Sequence, residues 1–167
     1  MNSIKLISEK IAQSFNKNGK VILAGNGGSF SDCLHMSAEL TGRFKLDRSP
    51  FPSIVLGSNG SSLTAISNDY SYSSCFAREF EALGNKDDIL ICISTSGESE
   101  NILNCLSKSS AKGIFSILIT SELYKNNLNK YIDNTIVAKT LSTSIAQQMH
   151  IIIIHLLCEE IERCMGL

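Results

Sequence analysis

Ile4, Ile7, Ile11 and Phe15 recur at spacings of three and four, so residues 2–17 are predicted as an amphipathic helix. Asn18-Gly19-Lys20 ends it, with the glycine in the C-cap region. The period then changes. Val21–Ala24 is an unbroken apolar run of strand length, followed by the turn Gly25-Asn26-Gly27-Gly28 and an amphipathic helix from about Ser29 to Thr41. Residues 44–52, with Pro50 and Pro52, read as a loop, Ser53–Leu56 as a short second strand, and GSNGSS as a turn leading into a helical segment, Leu63–Ser67. Asn68-Asp69-Tyr70 breaks that pattern, and Phe76, Phe80 and Leu83 mark a helix closed by Gly84. Asp88–Ile93 is the most strand-like run, apolar enough to be buried on both faces as a central parallel strand. It leads into Ser94-Thr95-Ser96-Gly97-Glu98-Ser99 and a helix carrying Ile102, Leu103 and Leu106. Ile114–Ile119, Leu123–Leu128 and Thr135–Ala138 read as strand, short helix and strand, before a long helix from near Thr143 to Met165.

Strands alternating with helices predict an α/β fold: a three-layer αβα doubly wound domain with a five-stranded parallel sheet and right-handed crossovers. The expected organisation is a single domain over 1–167, with an N-terminal helix over 1–19 and the sheet core and long C-terminal helix over 20–167. In such sheets ligands bind at the carboxyl ends of the strands. The glycine turn after the first strand and the serine turn after the third both fall at that edge.

Composition narrows the partners. At 167 residues the chain is the size of one domain, and 43% hydrophobic with 19% charged residues is ordinary for a globular protein. A net charge of -1 with no basic stripe argues against nucleic acid and anionic membrane as partners. The N-terminus reads as a helix, not a secretory signal, and Ile151–Ile154 with the residues after it is too short an apolar run for a membrane span. The six cysteines show no CxxC spacing and sit in helical or strand patterns, as reduced core residues of a cytoplasmic protein do.

Two stretches carry candidate chemistry. Ser94, Thr95, Ser96 and Ser99 surround a glycine between a strand and a helix. Backbone N–H groups at a helix N-terminus suit a phosphate, and the hydroxyls add donors without a lysine. The same residues also fit a plain N-cap with polar neighbours. Neither a Walker loop nor a dinucleotide fingerprint is present. On the first core helix, His35 and Glu39 are four apart and project from one face. They read as a metal pair, an acid/base pair or a surface ion pair. The last helix adds Gln147, His150 and His155 among aliphatic residues.

Four blocks, GNGGSFSDCLHMSAELTGR, LTAISNDYSYSSCFAREFEALG, DILICISTSGESENIL and QQMHIIIIHLLCEEIE, occur in this order from about Lys20 to Glu162. Together they resemble the phosphoheptose isomerases, within the sugar isomerase (SIS) domain family. That resemblance implies a SIS fold and conversion of sedoheptulose 7-phosphate to D-glycero-D-manno-heptose 7-phosphate, feeding heptose into lipopolysaccharide or capsule. It implies that Ser94, Thr95, Ser96 and Ser99 hold the phosphate, and that Asn26, Gly27, Gly28, Asn68 and Asp69 line the sugar. His35, Glu39, Gln147 and His155 are implied as ligands of one zinc ion, with Gln147 also near substrate, and the assembly as a homotetramer with sites between subunits. An enediol proton transfer needs a base over two carbons and an acid for their oxygens; Glu39 and His155 are the expected pair. Non-catalytic SIS relatives, which sense a sugar phosphate or bind a replication-initiator-type protein, are the competing class. A SIS isomerase acting on arabinose 5-phosphate or a hexose phosphate is the other.

Two features depart from the family pattern. Glu98 and Glu100 flank Ser99, where carboxylates oppose a phosphate unless they point away, and Ile145-Ala146 stand where an arginine often precedes the glutamine. Geometry adds a difficulty: Gln147 and His155 are about 12 Å apart along an ideal helix. Subunit mixing is therefore expected to build the site.

Overall fold

The computed structural model describes residues 2–124 and 129–167. Among these residues six α-helices and five strands follow in order: α1 (Asn2–Phe15), β1 (Val21–Gly25), α2 (Gly28–Thr41), β2 (Ser53–Val55), α3 (Gly60–Asp69), α4 (Cys75–Leu83), β3 (Ile89–Ile93), α5 (Glu100–Ala111), β4 (Phe115–Ser121), β5 (Asn134–Ala138) and α6 (Thr143–Cys164). All strand pairings are parallel, in the order β2-β1-β3-β4-β5. The expected doubly wound five-stranded sheet is present.

Most differences from the sequence expectation are one or two residues at element ends. Two are larger. The helical segment expected over Leu63–Ser67 spans Gly60–Asp69, so Asn68 and Asp69 end a helix and do not break one. Its early start has a local cause: the Asn59 side chain accepts the N–H groups of Ser61 and Ser62 as an N-cap. Of the helix expected over Leu123–Leu128, residues 125–128 lie outside the described residues, and Leu123 is part of a turn.

Every residue of β1 and β3 is buried, because helices cover both faces and each outward-pointing side chain meets a helix. Val21, Leu23, Ile89, Ile91 and Ile93 face α1, α2 and α6, packing with Ile7, Ile11, Met36, Leu40, Ile154 and Leu157. Ile22, Ala24, Leu90 and Cys92 face the other way, against Phe76, Phe80, Ile102 and Leu106 of α4 and α5. At about 1.5–3 kcal/mol per buried aliphatic side chain, this two-sided packing holds β1 and β3 firmly. All six cysteines are free, and five are buried.

That firmness sets up the site. The sheet is built outward from β1 in both directions, so the chain reverses its winding between β1 and β3, where a doubly wound sheet opens a crevice. Gly25 pairs with Ile93 at the last step of the register. The glycine turn and the serine turn therefore leave the sheet side by side.

Candidate active site

The serine turn is held from below by the end of β4. The Thr95 carbonyl accepts hydrogen bonds from the Thr120 hydroxyl at 3.2 Å and the Ser121 hydroxyl at 2.8 Å. The Ser94 hydroxyl accepts the Gly97 N–H at 3.1 Å, and the Ser96 hydroxyl accepts the Glu98 N–H at 3.2 Å. Gly97 is doubly required: its φ is +65°, and a Cβ there would strike the Tyr124 ring. Ser99 is the N-cap residue of α5, yet its side chain makes no capping bond. Its hydroxyl is thus available to a ligand at a helix N-terminus, which the plain N-cap alternative does not require. Glu98 and Glu100 are both exposed to solvent.

Asn26 is committed elsewhere. Its amide donates to Asn101 Oδ1 and accepts from Asn101 Nδ2, both at 2.9 Å, and its Oδ1 also accepts the Tyr72 hydroxyl at 2.8 Å. This reciprocal pair ties the glycine turn to the first turn of α5. Asn101 is 3% exposed, and nothing in its sequence neighbourhood marks it, because an asparagine in an amphipathic helix reads as surface. Asn68 and Asp69 are exposed at the end of α3, bonded to each other at 3.0 Å. Their segment reaches the glycine turn through Tyr72.

The second centre lies between α2 and α6, which run in the same direction. A Cβ on Gly28 would collide with the Gln147 amide, so the absence of a side chain there lets α6 close onto the start of α2. About 10 Å farther along α2, by the helical rise, His155 Nε2 stands 3.2 Å from His35 Nε2, which is itself 3.2 Å from Glu39 Oε1. One ligand atom from each of the three lies within 4.8 Å of the others. Glu39 and His155 thus meet within one chain. Gln147 is placed at the glycine end of the helix pair.

The donor set fits zinc. Two imidazole nitrogens and a carboxylate oxygen are its usual ligands, and bonds of about 2.0–2.1 Å in tetrahedral array put two nitrogens about 3.3 Å apart. Two imidazole Nε2 atoms facing each other at 3.2 Å can share one proton or converge on one cation. Cys158, three residues after His155, stays out of the set: burial first, then the charges of Glu39 and Glu162, push its thiol up to about 12.

Earlier on the same two helices stand two buried polar residues, Asp32 on α2 and His150 on α6. Asp32 and His150 are 7% and 0% exposed, and Asp32 Oδ2 and His150 Nδ1 have no hydrogen-bond partner among the described residues. His150 Nε2 is 3.1 Å from the Thr120 carbonyl, so that nitrogen carries the proton. Burial raises the Asp32 carboxyl above its usual range, against the pull of His150 and His35. The His150 imidazole is lowered by burial, with the Thr120 carbonyl and Asp32 acting in the opposite sense.

A cavity of about 560 Å³ lined by Ile54, Val55, Ile66, Arg78 and Leu83 shares no residue with these centres. Ser58, Asn59, Ser62 and Glu79 also line it, and it lies apart from the two turns and the helix pair.

Known proteins share this sequence pattern and this fold. The family model described as "SIS domain" matches residues 1–121. The phosphoheptose isomerase of Helicobacter pylori is 42% identical over 153 residues, covering 92% of this chain and 79% of that protein. Phosphoheptose isomerase 1 of Campylobacter jejuni is 40% identical over 159 residues, covering 95% and 85%. The structure of a phosphoheptose isomerase from Francisella tularensis superposes with a TM-score of 0.91 at 31% identity, covering 97% of this chain and 86% of that one. With its serine turn, its glycine turn and its helix-borne His-Glu-His group inside that shared fold, the chain belongs to the phosphoheptose isomerases of the SIS domain family.

Proposed function

We propose that this chain is an aldose–ketose isomerase that converts sedoheptulose 7-phosphate to D-glycero-D-manno-heptose 7-phosphate. The observation that carries the reading is the convergence of His35, Glu39 and His155 within 4.8 Å, in a chain that also builds a hydroxyl-rich turn at a helix N-terminus. A sensor or adaptor has no use for an acid/base group of this kind, which weighs against the non-catalytic class.

In the proposed mechanism Ser94, Thr95, Ser96 and Ser99 receive the phosphate, with the N–H groups of the first turn of α5 facing it. Asn26, Gly27, Gly28, Asn68 and Asp69 line the sugar, Asn26 with its orientation fixed by Asn101 and Tyr72. Glu39 removes a proton from C1 of the ketose and returns it to C2. His155 gives a proton to O2 as the enediol forms and takes one from O1 as the aldehyde forms, so the proton count closes. Glu39 Oε1 faces His35, which leaves the second carboxylate oxygen for the carbon-bound proton. Zinc held by His35, Glu39 and His155 would supply Lewis-acid polarisation of the two reacting oxygens. Gln147 faces substrate at the glycine turn and is assigned as a fourth ligand reaching across a subunit boundary.

The whole chain, 1–167, is assigned to one SIS domain working as a homotetramer. Ile145, Ile152 and Leu156 support this, forming an apolar stripe on α6 that is 47–59% exposed in the single chain. Six free thiols support a cytoplasmic location, and among the described residues no helix is long and apolar enough to cross a membrane. The product is assigned to lipopolysaccharide or capsule heptose. The test is incubation of purified, metal-analysed protein with sedoheptulose 7-phosphate, following appearance of the aldose. The expected result is turnover that rises with added zinc; no turnover with or without zinc would sink the reading.

A further inference from the structure

After α2 the chain folds back along that helix to Arg48, whose three guanidinium nitrogens are all engaged. Nη2 donates to the Glu39 carbonyl at 2.9 Å, and Nη1 donates to the Leu40 carbonyl at 3.0 Å and the Ser49 carbonyl at 3.1 Å. Nε donates to Glu162 Oε1 at 2.9 Å. The plane of the group lies over the Phe51 ring, 3.9 Å from its centroid, and Phe51 is stacked on Phe15. The Arg48 and Glu162 side chains are only 2% and 4% exposed. Glu162 Oε2 also accepts the Lys45 N–H at 3.4 Å.

The last carbonyls of a helix have no partner inside it, and a cation there also opposes the helix dipole. A flexible, exposed lysine would satisfy both needs. Here the group is a rigid planar fork, fully buried, whose remaining edge is spent on α6. Glu162 lies seven residues, two turns, beyond His155 on α6. One side chain therefore joins the backbone of Glu39 to the helix that carries His155. At the other end of the helix pair the Gln147 amide sits against Gly28. The His35–Glu39–His155 group lies between these two pins.

We propose that Arg48, clamped by Glu162, is a positioning residue that sets the separation of Glu39 from His155. It thereby gives the triad its affinity for a divalent cation and, on the isomerase reading above, its rate. Groups that orient metal ligands from behind typically change metal affinity by about tenfold to a hundredfold when removed.

The test uses the full chain, stripped of metal, with zinc affinity measured by competition against a chromophoric chelator and kinetics with sedoheptulose 7-phosphate. Removing Arg48 alone strands a buried carboxylate, so the first variant is the double replacement Arg48→Met/Glu162→Met, which exchanges the pair for apolar volume. The expected result is a folded protein whose zinc affinity falls about tenfold or more, with kcat reduced and KM little changed. Glu162→Gln, in which Arg48 keeps both bonds to α2, is expected to hold zinc affinity within about threefold. A double variant that binds zinc as the unaltered chain does would overturn the proposal. So would a Glu162→Gln variant that loses as much affinity as the double one, since the effect would then lie in the α6 charge. Should the double variant not fold, Arg48→Lys decides by the same titration, because an ammonium cannot hold Glu162 and both carbonyls together. An unaltered chain that turns over nothing removes the isomerase reading, while the zinc titration still decides the clamp.

Discussion

The serine turn after β3 and the helix pair α2–α6 hold their chemistry by different means. Ser94–Ser99 is one contiguous stretch whose shape comes from its own hydrogen bonds and from the end of the adjacent strand. The His35–Glu39–His155 group spans 120 residues of sequence and exists only because two helices pack in one register. A loop of the first kind tolerates small shifts of its neighbours but not a change in its backbone. A group of the second kind tolerates changes at its surface but not a shift of either helix. The two ends of the site should therefore fail separately.

Glu39→Gln gives the largest expected separation. The amide is isosteric but cannot take a proton from carbon, so kcat should fall about 10²–10⁴-fold. Exchange of the C1/C2 protons with solvent, followed by NMR, should cease with it. Inorganic phosphate should still protect the protein in a thermal-shift measurement, because the serine turn does not depend on Glu39. Retained proton exchange would remove Glu39 from its role; lost phosphate protection would show that the two ends are coupled.

Gly97→Ala attacks the other end. The φ of +65° and the Tyr124 ring both oppose a Cβ, and a non-glycine residue held there costs about 1–3 kcal/mol. Relief of that strain by movement of the turn should weaken phosphate protection by about tenfold or more. Zinc affinity of the triad, titrated in the same sample, should stay unchanged. A parallel loss of zinc would mean that the turn supports the helix pair, against the comparison.

What the sequence makes legible follows the same division. Period and apolar runs suffice for the sheet, because β1 and β3 are buried on both faces and their composition says so. The serine turn is equally visible, since strand, glycine, hydroxyls and helix are consecutive. Gly28 is visible as a glycine, but its reason, the Gln147 amide packed against it, depends on a helix 119 residues away. Asn101, Tyr72 and Arg48 have no local signal at all: each looks like an ordinary polar residue until its partner arrives from another element. The spacing of Gln147 and His155 shows in the fold as it does in the sequence: within one chain His155 joins His35 and Glu39, while Gln147 stands against Gly28. A fourth contribution from Gln147 to the same group would then come from a neighbouring subunit, as proposed above.

The buried Asp32 and His150 offer the finest test of the comparison, since they stand on the helix pair and His150 reaches the sheet end through the Thr120 carbonyl. The same threonine's hydroxyl supports the serine turn. His150 has a folded-state pKa lowered from 6.5, mainly by burial. As pH falls through the unfolded value of 6.5, the unfolded chain takes up a proton that the native protein does not bind, so stability must drop with pH there. Asp32, raised from 3.8 by burial, acts in the opposite sense at lower pH: the native state binds the extra proton, and stability is gained as pH falls through its folded-state value. His150→Gln keeps a donor for the Thr120 carbonyl but cannot titrate. In metal-free protein the melting temperature of the unaltered chain should fall more steeply below about pH 6.5 than that of the variant. Equal slopes would mean that His150 takes up its proton in the fold as readily as in the unfolded chain, and a shallower slope for the unaltered chain would mean that the Asp32 carboxylate holds it charged as an ion pair.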